Sequence, residues 1–141
     1  MSQDNLEAVK QGYAAFRAAW TTNDRAPYEA WLRDKASPEF EYIPSTGLLG
    51  APKGSLDRED FLRWLDTFWE EFEVLIAEPS EFLDAGDTVL ARATFRGRGR
   101  RSGAEVEIDQ WQVWRFRAGK AVRGQALVSR ADALKAAGLS E

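Results

Sequence analysis

The chain has 141 residues, 44% of them apolar and 30% charged, with a net charge of −4, six tryptophans, and neither histidine nor cysteine. This excludes disulfides, an imidazole-based catalytic triad and metal sites built on His or Cys, and it leaves Asp, Glu, Tyr and Lys for acid–base work. An acidic chain of this kind also gives no footprint for nucleic acid or anionic lipid, so neither partner is expected, and no metal or cofactor either.

A chain of this length forms one domain, residues 1–141, able to bury about two thirds of the surface it exposes when unfolded. The opening MSQDNLEAVKQG has no basic region followed by an apolar one, and no window approaches the run of apolar residues that spans a bilayer. A cytoplasmic location is therefore expected.

In chain order, NLEAVKQGYAAFRAAWTTND places Leu6, Val9, Phe16 and Trp20 near one helical face with Tyr13 beside them. A second, short helix starts at Pro27, well suited to a first helical position, and runs through Tyr28, Trp31 and Leu32. SPEFEYIPSTG reads as a strand stopped by Pro44 and Gly47. The loop LLGAPKGSL leads to Asp57, a good N-cap for a helix in which Phe61, Trp64, Leu65, Phe68, Trp69 and Phe72 repeat at helical spacing.

After Phe72 the period changes from helical to two. VLIAEPSEFLDA, TVLARATFRGRG, AEVEIDQWQVWRF and KAVRGQALVSR, divided by AGD, RRSG and RAG turns, read as a four-strand antiparallel meander. ADALKAAG closes the chain as a brief helix with Gly138 as its stop. The economical arrangement is α+β, with helices on one face of a curved sheet.

The third strand of the meander carries the functional signal. Alternation puts Val106, Ile108, Gln110, Gln112, Trp114 and Phe116 on one face, so two carboxamides interrupt an apolar row. A buried amide needs partners: each other, Tyr13, a water, or a ligand. The flanking rows are small, with Val89, Ala91, Ala93 and Phe95 on one side and Val122, Gly124, Ala126 and Val128 on the other. They leave room either for a ligand cavity roofed by the aromatic helices or for Phe16, Trp20, Trp64, Phe68 and Trp69 to pack solidly. On the opposite parity, Trp111 and Val113 stand among Glu107, Asp109, Arg115 and Arg117, an apolar pair on an outer face that suggests a partner surface.

Two further segments carry no site. RGRGRR, residues 96–101, misses the glycine spacing of a phosphate loop and leads into a strand, so it reads as a solvated hairpin tip. The acidic run Glu70, Glu71 and Glu73 lacks companion ligands for a metal.

The order and spacing of the helix ending in TTND, the PEFEYIPS strand, the GSLDREDFLRWLDTF helix, the FLDAGDTVLARATFRGRG hairpin and WQVWRFRAGKAV resemble the SnoaL-like, polyketide cyclase-like family of the nuclear transport factor two-like superfamily. The resemblance covers essentially the whole chain. It implies a cone-shaped α+β fold, N-terminal helices on a strongly curved, mainly antiparallel sheet enclosing a cavity, in a superfamily that holds isomerases, dehydratases, hydrolases, cyclases and members without known activity. It also implies a homodimer through the outer sheet face at Trp111 and Val113.

By the same resemblance, the proton-handling positions of steroid isomerase relatives fall on Phe16, Ile43 and Gln112, none of which handles protons. A catalytic acid or base would have to come from Glu41 or Tyr42. The expected pocket comprises Tyr13, Phe16, Trp20, Ile43, Leu65, Phe68, Ala93, Phe95, Gln110, Gln112, Trp114, Gly124, Ala126 and Val128. The leading expectation is a protein holding a small hydrophobic molecule oriented by Gln110 and Gln112. The alternatives are an isomerase, cyclase or hydrolase acting on a hydrophobic carbonyl or hydroxyl compound, and a structural dimer module with a filled cone.

Overall fold

The computed structural model describes residues 2–45 and 54–139. Most of the LLGAPKGSL loop, and Gly47 before it, lie outside the described residues. The elements run α1 (Ser2–Thr22), α2 (Ala26–Lys35), β1 (Ala36–Ile43), β2 (Leu56–Asp57), α3 (Arg58–Glu71), β3 (Phe72–Ala85), β4 (Thr88–Gly99), β5 (Glu105–Arg117), β6 (Lys120–Leu127) and α4 (Arg130–Ala136). Among the described residues no helix is long and apolar enough to cross a membrane.

The helices start and stop where local chemistry directs. Pro27 occupies the first turn of α2, where its missing N–H costs nothing. Asp57 caps α3 by accepting from the Asp60 N–H at 2.8 Å, and Ser129 caps α4 through the Asp132 N–H at 3.1 Å. At the β5–β6 turn Ala118 and Gly119 both take positive φ, 52° and 78°, the backbone of a tight hairpin whose twist matches its strands.

The six strands form one open mixed sheet in the order β2-β1-β6-β5-β4-β3. β3 to β6 are an antiparallel meander, and β1 joins it parallel to β6. β2 is only two residues long and pairs with β1 at Glu41↔Asp57 and Tyr42↔Leu56; too short to show any periodicity, it was not expected from the sequence. Irregularities at Pro79/Glu81 and Arg115/Phe116 bend the sheet, because an extra residue on one strand sharpens local twist. Pro79 is tolerated because β3 is an edge strand.

The bulge at Arg115/Phe116 pairs Phe116 with Ala121. Ala121 therefore takes the inward place beside it, while the expected inward row had Val122 there.

α1, α2 and α3 cover the concave face. Their aromatic stripes and the inward residues of the sheet form the main core, with Val9, Leu32, Phe40, Val89, Ala91 and Ala93 essentially inaccessible. On the convex face, α4 lays Ala133 and Leu134 over Leu90, Trp111 and Val113 as a second core. Trp111 and Val113 have the outward parity expected of them, yet they are buried at 4% and 5% exposure. The apolar outer face that suggested a dimer surface is occupied by the chain's own last helix, and Arg130 adds a cation over the Trp111 ring at 5.3 Å.

Leu134 is the main apolar anchor of that helix. Leu134→Ala should cost about 2–3 kcal/mol, read as a lowered urea midpoint with an unchanged slope.

Candidate functional site

The concave face does not close completely on the helices. A hollow of about 550 Å³ remains between α1, α2, α3 and the sheet, lined by aromatic and aliphatic side chains with Gln110 and Gln112 among them. Strand alternation on β5 is as read from the sequence, and Val106, Ile108, Gln110, Gln112 and Trp114 all face this space. The small residues beside the amides are their direct cross-strand partners: Ala91 and Ala126 flank Gln112, and Ala93 stands beside Gln110.

The two amides differ. Gln112 is satisfied by protein on both sides: the Tyr13 hydroxyl donates to its Oε1, and its Nε2 donates to the Tyr42 hydroxyl at 2.9 Å. Because Tyr42 accepts from Gln112, its own hydrogen is directed elsewhere and is available to the hollow. Trp114 Nε1 approaches the Tyr13 hydroxyl but stays outside hydrogen-bond geometry. Gln110 is equally buried, at 8% exposure, and lines the hollow. Among the described residues nothing hydrogen-bonds its amide.

Burial keeps the tyrosines protonated. Desolvation pushes Tyr42 up to about 12, with the Gln112 hydrogen bond opposing the rise. Burial likewise holds Tyr13 and Tyr28 well above their ordinary value. Tyr42 is therefore a hydrogen-bond donor at neutral pH and cannot serve as a base.

The other acid–base candidate, Glu41, lies on the convex side with its carboxylate half exposed and 3.9 Å from Arg123. On β1 the buried positions are Phe40 and Tyr42, so alternation turns Glu41 and Ile43 outward. The carboxylates bordering the hollow are Glu71 and Glu107, both exposed at its rim, and Glu107 pairs with Arg96 on the outer face at 3.7 Å. Among the described residues no cluster of acidic side chains is arranged to hold a metal ion.

Of the expected pocket residues, Tyr13, Phe16, Leu65, Phe68, Phe95, Gln110, Gln112 and Trp114 line the hollow, and the others do not. Trp20 stacks on Trp69 with centroids 4.4 Å apart and the planes within 10°, in the core beyond the hollow. Ile43 faces outward with Glu41. Ala93 and Ala126 are covered by their neighbours in the sheet. Gly124 lies under two rings, since a Cβ there would sit 2.8 Å from Tyr42 and 3.0 Å from Trp114; its smallness admits those rings and leaves no open wall. Val128 lies past the end of β6 and is 64% exposed.

Lining residues not expected from the sequence include Tyr28, Trp31, Phe61 and Trp64. A signal for Trp31 existed in Gly12, a glycine inside a helix where alanine would be favoured by about 1 kcal/mol. A Cβ at Gly12 would come within 2.5 Å of the Trp31 ring, whose indole N–H donates to the Ala8 carbonyl at 2.9 Å.

Helices seated in the concavity of a curved, open, mixed sheet define the NTF2-like class of fold. The chain belongs to the SnoaL-like domain family, which it matches over residues 13–124. No curated protein matches it.

Among solved structures, an NTF2-like protein of unknown function from Burkholderia pseudomallei is 17% identical, with 94% of this chain and 95% of that one aligned at a TM-score of 0.73. An NTF2-like protein from Burkholderia thailandensis is 26% identical, with 91% and 95% aligned at a TM-score of 0.67. TerC, co-crystallized with polyporic acid, is 23% identical, with 89% and 92% aligned at a TM-score of 0.71.

The chain has three tyrosines, and burial raises all of them. The unfolded chain releases phenolic protons from about pH 10, where the folded protein still holds them, so their contribution to stability is complete below pH 10 and is lost as pH rises. Stability should fall by as much as about 1.4 kcal/mol per pH unit for each tyrosine. Tyrosinate absorbance should rise only together with loss of the near-ultraviolet circular dichroism of the folded state.

Proposed function

We propose that the protein binds a small, largely apolar molecule carrying a carbonyl or hydroxyl oxygen, with its ring system among the aromatic side chains and its oxygen at Gln110 and Tyr42. The observation that carries this reading is Gln110, a residue only 8% exposed, whose carboxamide faces the hollow and has no hydrogen-bond partner among the described residues. An amide opening onto the hollow can exchange solvent for a ligand oxygen, and such a hydrogen bond contributes about 1 kcal/mol net. The hollow falls within the usual range of small-molecule sites, which supports binding over a filled structural cone. The co-crystallization of TerC with polyporic acid supports the same use of the fold.

Binding, rather than turnover, is the reading this geometry favours. Proton abstraction needs a base within reach of the substrate; the buried polar groups of the hollow are amides and protonated phenols, and its carboxylates, Glu71 and Glu107, stand exposed at the rim. Tyr42 and Gln110 are suited to hold an oxygen as hydrogen-bond donors.

The test compares 9-fluorenone with fluorene, two planar molecules that differ chiefly by a carbonyl oxygen, using quenching of tryptophan fluorescence. Wild type should prefer the ketone by about fivefold, the value of one net hydrogen bond. Gln110→Leu should reduce that preference to what the Tyr42 hydroxyl alone supplies. Equal affinity of wild type for both compounds would refute the assigned role of Gln110.

A further inference from the structure

The convex face of the sheet pairs the arginines of β4 with carboxylates. Arg92 meets Asp109 at 2.7 Å, Arg96 lies between Glu78 and Glu107, and Arg98 meets Glu73 at 2.9 Å. Arg115 of β5 breaks the pattern. Its direct partner across the ladder is Arg123 of β6, and on the β4 side it faces Thr88. Like charges directly opposed in an antiparallel pair repel.

Nothing in the surroundings fully compensates them. Among the described residues Arg115 makes no ion pair. Arg123 Nε is buried without a hydrogen-bond partner, and the Glu41 carboxylate, at 3.9 Å, is beyond hydrogen-bond distance. Both arginines line a recess of about 400 Å³ beside α4, floored by Val113 and bordered by Gln125, Lys135 and Asp132. Asp132 contributes one opposing charge, three residues before Lys135 on the same helix. Arg115, Arg123 and Lys135 therefore leave the recess net positive even when Asp132 and Glu41 are both counted.

We propose that this recess is a second binding site, on the opposite face of the sheet from the hollow, for a small molecule bearing a carboxylate or phosphate group. Arg115 and Arg123 form the clamp, since guanidinium groups match the planar geometry of oxyanions. Lys135 and the Gln125 amide supply further donors, and Val113 provides apolar contact for the body of the molecule. The volume suits a small ligand. The site does not depend on what occupies the concave hollow.

The experiment measures melting temperature in sodium chloride, sodium phosphate and sodium citrate at matched ionic strength, on wild type, Arg115→Gln, and Arg101→Gln, an exposed control in the β4–β5 turn. Phosphate and citrate stabilise many proteins by exclusion from their surfaces, so the readout is the difference between variants. Wild type and Arg101→Gln should gain about 3 °C more than Arg115→Gln in at least one of the two anions, with saturation in the millimolar range. A larger gain in phosphate assigns a phosphate ligand, and a larger gain in citrate a carboxylate. Arg115→Gln should also melt above wild type in chloride, because a repulsive pair is gone. Equal gains in all three proteins would overturn the proposal. So would a drop in mass by sedimentation on Arg115→Gln, which would make the recess a contact between copies of the chain.

Discussion

The molecule is organised around one buried chain of hydrogen bonds, from Tyr13 through Gln112 to Tyr42. Its members come from α1, β5 and β1, separated by 99 and 70 residues in sequence, and each would pay a desolvation penalty without the others. Because the chain crosses the concave face of the sheet, it fixes the depth at which α1 and β1 face one another. The aromatic side chains then arrange themselves around a polar strut, and an interior that is apolar almost everywhere keeps an opening beside it.

The polarity of that strut determines what the opening can do. Gln112 spends its acceptor on Tyr13 and one donor on Tyr42, so the hydroxyl hydrogen of Tyr42 is left to point away from Gln112. Gln110, two residues earlier on the same face, offers both a donor and an acceptor that no group among the described residues uses. Two residues of one strand thus differ: one is built into the wall, and the other is the group to which the proposed function assigns recognition. The surrounding rings are held in place by close packing, as at Gly12, where the absence of a side chain lets Trp31 cross α1.

Much of this was legible in the sequence because it rests on periodicity. The switch from helical spacing to alternation after Phe72 gave the meander, and alternation along β5 placed both amides inside. What could not be read was register across strands and coverage from afar. On β1 a shift of one residue decides whether Glu41 or Tyr42 turns inward, and only pairing with Gly124 resolves it. The bulge at Arg115/Phe116 exchanges Val122 for Ala121, and a sequence carries no mark of it. Small residues looked like open space, yet Gly124 is small because two rings lie on it. Trp111 looked exposed because parity says which face a residue takes, and is silent on what later covers that face.

That late cover has a consequence for biogenesis. During synthesis β4 and β5 emerge before α4, so the sheet can pair while Leu90, Trp111 and Val113 still face water as a sticky strip. Until residues 130–136 arrive, the nascent chain presents this strip to the crowded surroundings of the ribosome. The window for chaperone engagement, or for clumping with neighbouring nascent chains, therefore closes when α4 docks on the sheet.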